Sequence, residues 1–205
     1  FEVLYGMDQI YLDYNATTPI DPFVSSAMFP FITDHFGNPS SGHLYGNKTH
    51  QAVEISRQQV AELLNCKPTE IIFTSGGTEA NNYALKGVIG AYTAKGNHII
   101  TSSVEHPAIT EVCRYLETQG CETTYLPVDK YGMINPLDVE SAITNKTILI
   151  TIMHANNEVG TIQPIKEISN IAHKHGVLFH SDCAQSIGKL EVTPSELGVD
   201  LLSIA

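Results

Sequence analysis

The stretch Phe179 to Ser186, FHSDCAQS, gathers an imidazole (His180), a carboxylate (Asp182), a thiol (Cys183) and an amide (Gln185) directly after the apolar run VLF. Three chemistries use such a set: a metal site, a nucleophile with its base, or a clamp on an organic cofactor. His180 and Asp182 stand at i and i+2 and so share one side of an extended segment, but no third ligand of matched spacing appears. That argues against metal. Cys183 lies between Asp182 and Ala184 with no assignable base, and small residues in such places often simply pack. The clamp is what remains.

Three further stretches place polar groups where strands end. In EIIFTSGGTEANNYALKGVIGAY, Ser75-Gly76-Gly77-Thr78 turns a strand into a helix that begins near Glu79, and glycines there let backbone amides approach an anion. It is neither a Walker loop nor a GxGxxG fingerprint. A phosphate cradle and a plain tight turn with Thr78 as N-cap both account for it. In SSVEHPA, His106 sits at a strand-to-helix turn before Pro107, as a functional imidazole or as an ordinary surface residue. In HANNEVGT (154–161), two asparagines and a glutamate follow the run TILITIM; they suit the orientation of a polar ligand, although turn formation explains Asn156 equally well.

Loops so spaced need a frame, and the sequence supplies one. From residue 70 onward short β-branched runs alternate with segments of helical period, the signature of an α/β domain with a mostly parallel sheet flanked by helices. The strand runs are EIIFT (70–74), HIITS (98–102), TTYLPV (123–128), TILITIM (147–153), VLFHS (177–181) and DLLSIA (200–205). Pro107 opens a helix with Ile109, Val112, Cys113 and Leu116 on one stripe and Gly120 as its stop. Pro164 opens another, with Ile165, Ile168, Ile171 and Ala172 on one face and Gly176 at its end, and residues 49–65 form a third through Val53, Val60 and Leu64. In open α/β sheets the ligand crevice lies beyond the carboxyl ends of the strands, so the four polar loops are expected to converge there.

Composition narrows the partners. The 205 residues are 42% hydrophobic and carry a net charge of −11, with no Lys/Arg cluster, which excludes nucleic acid and anionic membrane surfaces as expected partners. No apolar run approaches a membrane span, and no secretory pattern opens the chain. The expected compartment is the cytoplasm, or an organellar matrix after processing. The four cysteines are widely spaced without a CxxC pair and read as free thiols in a reducing environment. The sequons at Asn15, Asn47 and Asn145 then read as chance matches. FEVLYG (1–6) reads as an extension outside the fold.

Taken together, YLDYNATTP (11–19), FGNPSS (36–41), TSGGTEANN (74–82), EHPA (105–108), HANNEVGTIQP (154–164), HSDCAQSIGK (180–189) and DLLSIA (200–205) resemble the cysteine desulfurases, class V aminotransferases that use pyridoxal 5′-phosphate (PLP) on fold type I. The resemblance runs in consistent order from about Ile10 to Ala205. It implies that Asp182 pairs with the pyridine nitrogen of PLP, that Gln185 hydrogen-bonds the ring's phenolic oxygen, and that Gly77 and Thr78 bind the phosphate. It further implies that His106 stacks on the ring as the candidate for catalytic proton transfer, and that Asn157 lies near the phenolic oxygen and the substrate carboxylate. Asn15, Ala16 and Thr17 would line the substrate pocket. No metal is implied.

The activity implied is removal of sulfur from L-cysteine to give L-alanine and an enzyme persulfide, passed to an acceptor protein, scaffold or carrier, for iron-sulfur cluster or thio-cofactor assembly. A homodimer is implied with it. By the same resemblance residues 1–20 form an N-terminal segment and 21–205 the PLP-binding large domain of fold type I, truncated. The Gly-His-Lys motif with the anchoring lysine, the nucleophilic cysteine and the substrate-binding arginine are expected beyond Ala205. Ala205 itself stands where many relatives carry a phosphate-contacting serine. Cys183, like Cys66, Cys113 and Cys121, then reads as a packed residue. A selenocysteine lyase is the close alternative, and a non-catalytic truncated partner or regulatory form the alternative of another class.

Overall fold

Apolar runs and capped helices alternate along the chain in a computed structural model that describes residues 10–190 and 193–205. The extension reading for residues 1–6 lies outside the described residues. The chain divides into two compact units, one running to Val53 and one from Glu54 to Ala205.

In the first unit, YLDYNATTP closes a turn: the amides of Ala16 and Thr17 donate to Asp13 O at 3.1 and 3.3 Å, and Tyr11 Oη donates to Asp13 O and Thr17 O. Helix α1 (Pro22–Thr33) starts on Asp21, whose carboxylate accepts from Phe23 N at 2.7 Å, with Pro22 in the first turn where no amide is needed. A Cβ on Gly46 would fall 2.1 Å from Ser41 O, so only glycine permits that approach of backbone to backbone. Helix α2 covers Leu44–Leu64, an earlier start than 49–65.

The second unit is built on five parallel strands, β1 (His98–Ser102), β2 (Glu122–Leu126), β3 (Thr147–Thr151), β4 (Leu178–Asp182) and β5 (Leu201–Ser203), in the order β2-β1-β3-β4-β5. Every residue of β1 and β3 is buried, which is why these strands read as continuous rather than alternating runs. Successive side chains still point to opposite faces. Ile99 and Leu149 pack under α3 (Gly77–Tyr92) and α4 (Pro107–Thr118) with Leu85, Val88, Ile109 and Val112. Ile100, Ile150 and Phe179 pack under α5 (Pro136–Ala142), α6 (Ile165–Lys174) and α7 (Pro194–Leu197) with Val139, Ile168 and Leu197. Among the described residues no helix is long and apolar enough to cross a membrane.

The parallel sheet, its order of elements and the Pro107 start are as expected, but EIIFT is not a strand. Pro68–Glu70 makes a 3-10 turn, Ile71 to Thr74 lie in no strand, and Ile72 and Phe73 are 62% and 47% exposed. A β-branched run becomes a strand only where a sheet edge receives it. The edge strand β5 and this segment instead both line a cleft of about 830 Å³. Arg57 holds the segment, its Nη1 donating to Ile71 O at 2.6 Å and its guanidinium lying 4.9 Å from the Phe73 ring centre. Two caps also differ: Gly76, not Thr78, caps α3, and Pro164 caps α6 rather than opening it.

Candidate active site

The strand order reverses between β1 and β3, and all five strands run the same way, so the loops after β1, β3 and β4 leave from one end of the sheet. That is where an α/β sheet opens a crevice. Asp182, the last residue of β4, is buried; its Oδ1 accepts from Ala184 N at 3.0 Å and its Oδ2 from Asn81 Nδ2 at 2.7 Å. Asn81 stands on α3 one turn beyond Gly77 and Thr78. The carboxylate is thereby joined to the amide-rich start of that helix.

The start itself depends on Gly76, whose φ of 156° and ψ of 178° lie in a region only glycine occupies freely. Glu79 reaches back to accept from Ser75 N at 2.5 Å, and hydrogen bonding from the Ser75 side chain, with this backbone bond, holds its carboxyl below the usual carboxylate range. The tail of β5 meets the same turn, because a Cβ on Gly77 would lie 3.1 Å from the Ala205 Cβ.

The other two loops are stitched to each other. His106 is the exposed N-cap of α4, its Nδ1 accepting from Ala108 N at 3.1 Å, so a neutral ring carries its proton on Nε2. Beside it, buried Glu105 accepts from Ser102 Oγ at 2.6 Å and from the amide of Met153 beyond β3 at 2.9 and 3.1 Å. Asn156 shapes its own turn, Oδ1 accepting from Glu158 N and Val159 N at 2.9 Å, and ties it to the His106 loop through Nδ2 donating to Val104 O at 3.0 Å. His154 N donates to Asp182 O at 2.9 Å, which closes the circuit to β4. Half-buried Asn157 donates to Glu158 Oε1 at 2.7 Å, and half-buried Gln185 accepts from Lys189 Nζ at 2.8 Å. Asn15, Ala16 and Thr17 belong to the Asp13 turn of the first unit.

Two residues of FHSDCAQS are structural. Cys183 is fully buried and burial pushes its thiol up to about 11, as burial raises Cys113 to about 12; neither is a ready nucleophile. His180 is also fully buried, with Nδ1 2.8 Å from Thr151 Oγ1 on β3 and Nε2 3.0 Å from Ser203 Oγ on β5. Both ring nitrogens are used, so His180 braces three strands. His98 repeats the device with Thr147 and Thr124 at the opposite end of the sheet.

Burial holds the His180 ring down at about 4. The folded state therefore binds fewer protons than the unfolded one between that value and 6.5, and its stability falls as pH falls through this window. The expected loss is of the order of 3 kcal/mol. Urea midpoints from pH 4 to 7 should show this acid limb, and His180→Gln should flatten it; an unchanged limb in the variant would assign the loss to other groups.

Sequence patterns pointed to His106, Asp182 and the Gly77 turn but not to Asn81, Glu105 or the His154 amide. Asn81 does leave a trace: it shares the buried stripe of Ala84, Leu85 and Val88 at i, i+3, i+4 and i+7, the one amide on an apolar face. Its Oδ1 has no hydrogen-bond partner among the described residues although buried. A buried acceptor left without a partner, on a residue 1% exposed, calls for an explanation, and a ligand beside Asp182 would supply one.

The arrangement has close counterparts. Residues 10–205 match the aminotransferase class-V family. Cysteine desulfurase IscS of Dictyoglomus turgidum is 54% identical over 96% of this chain and 50% of its own length, and IscS of Methanosarcina thermophila is 50% identical over 96% and 48%. A solved structure of SspA in complex with cysteine superposes with a TM-score of 0.92 at 42% identity, over 95% of this chain and 56% of that one. The chain thus spans about half the length of the curated relatives it matches. The parallel sheet flanked by helices is that of the PLP-dependent fold type I neighbours, and with the match covering nearly all of it, this chain belongs to the aminotransferase class-V family.

Proposed function

We propose that these residues form the cofactor-holding part of a PLP-dependent cysteine desulfurase acting on L-cysteine. The observation that carries the reading is the Asn81 bond, which couples a buried strand-end carboxylate to a glycine-led helix start. The donor set suits PLP: a carboxylate for a ring cation, backbone amides at the start of a 16-residue helix for a phosphate, and amide side chains for a phenolic oxygen.

In this reading Asp182 faces the pyridine nitrogen, Gly77 and Thr78 hold the phosphate, and Gln185 and Asn157 orient the phenolic oxygen. Ala205 adds no hydroxyl to the phosphate contacts. When bound, PLP supplies an electron sink for the substrate's α-carbon. His106, with Nδ1 occupied by the Ala108 amide, presents Nε2 as the atom that holds or moves a proton. Sulfur passes as a persulfide to an acceptor protein for iron-sulfur or thio-cofactor assembly, in a homodimer of the cytoplasm or an organellar matrix.

The test uses the longest natural polypeptide that contains these residues, loaded with PLP. L-Cysteine with dithiothreitol is expected to yield alanine and sulfide in equal amounts. Alanine from selenocysteine alone would make the protein a selenocysteine lyase, and no alanine from either would overturn the enzymatic reading.

A further inference from the structure

Glu105 is a buried carboxyl to which the proposed chemistry assigns no part. It lies between the two loops that the site needs in register, and it bonds to both. Ser102 Oγ at the end of β1 donates to Oε1 at 2.6 Å, and the amide of Met153 donates to Oε1 and Oε2 at 2.9 and 3.1 Å. The next residue is His106, which enters α4 at φ −61° and ψ 149° with Pro107 locking the turn that follows. Where the imidazole lies is thus set by where residue 105 is pinned.

We propose that Glu105 is a positioning residue: its carboxyl latches the loop after β1 to the backbone beyond β3 and so sets the place and orientation of the His106 ring. The proposal rests on the reading of His106 given above. An amide oxygen could accept the two bonds now made to Oε1 without bringing an ionisable group into a buried place, so the choice of a carboxyl calls for an account. The groups acting on it are the Ser102 hydroxyl, the Met153 amide and Asp182, and it acts in turn on the thiol of Cys113 on α4. Burial, with the Asp182 charge adding, pushes the Glu105 carboxyl up to about 8 against the pull of Ser102 and Met153. In its neutral form the latch accepts the Met153 amide without setting a second negative charge near Asp182. Ionisation on the alkaline side would place that charge there and alter the latch.

The test reads the ring itself, in PLP-free protein, by the NMR signals of ¹³C/¹⁵N-labelled histidine assigned to His106. Wild type should show an inflection near pH 8 in the His106 shift, and Glu105→Gln should remove that inflection while keeping the neutral-pH shift. Glu105→Ala should move the neutral-pH shift, and in the loaded full-length protein should lower kcat by about 10- to 100-fold with little change in KM, as expected of a displaced catalytic group. The circular dichroism of the bound cofactor should change toward that of His106→Ala. If Glu105→Ala does not fold, Ser102→Ala removes one donor to the latch and should move the resonance in the same direction. A His106 signal unmoved in Glu105→Ala, or in Ser102→Ala where that variant takes its place, would overturn the proposal and leave Glu105 a core tie. Failure to bind PLP would instead sink the functional reading and leave the resonance result standing.

Discussion

Asp182→Ala is expected to lower kcat/KM for L-cysteine by about 10²- to 10⁴-fold and to weaken PLP binding by a similar factor, since removing one partner of a buried charge pair costs about 3–5 kcal/mol. The loss has two sources. The ring cation would lose its counter-charge, and the amides of Asn81 and Ala184, now fixed on the two carboxylate oxygens, would be left without acceptors. Asp182→Asn separates them, because it keeps the shape and one acceptor oxygen while removing the charge. If charge governs, Asn should be nearly as impaired as Ala; if the Asn81 bond governs, Asn should recover much of the loss. Equilibrium dialysis with PLP and steady-state kinetics read both, and a loss under threefold in Asp182→Ala would sink the assignment of this residue to the ring nitrogen.

Phe179→Ala is expected to destabilise the protein by about 3–5 kcal/mol, the range for truncating a fully buried aromatic ring. Against a total of about 5–15 kcal/mol for an ordinary domain, this brings the fold near its limit. Phe179 is fully buried in the core under α5 to α7, and its strand is pinned through Asp200, whose Oδ2 accepts from Phe179 N at 2.8 Å while Asp200 N donates to Phe179 O at 2.8 Å. β4 ends three residues later on Asp182, so the site should loosen with the core. Urea unfolding followed by circular dichroism measures the effect, and Phe179→Leu should cost markedly less. A loss below about 1 kcal/mol for the alanine variant would mean that Ile150, Ile168 and Leu197 collapse into the space.

The helices and strands of the second unit could be read from local pattern because their determinants are local. Pro107 sets α4 and Gly120 ends it, and His98–Ser102 is a strand on its β-branched residues. EIIFT is rich in β-branched and aromatic residues too and is not a strand, since pairing needs an edge at bonding distance and this segment instead lines a cleft together with β5. Composition cannot report on an edge. Thr78 as N-cap failed for a related reason: Gly76 adopts a backbone angle closed to other residues and starts the helix earlier.

FHSDCAQS shows the same division. Residue types alone narrowed its chemistry to a clamp, and motif order with the resemblance named Asp182, Gln185, His106, Asn157 and the Gly77 turn as its parts. Assigning work among neighbours took the tertiary structure. His180 became a brace because Thr151 and Ser203 offer hydroxyls from the flanking strands, and Cys183 became inert because the core closes over it. The ties that join the site, Asn81 to Asp182, Asn156 to Val104 and Glu105 to Met153, span 101, 52 and 48 residues. Periodicity and capping act within a few residues, whereas these bonds exist only once the sheet has brought distant loops to one end.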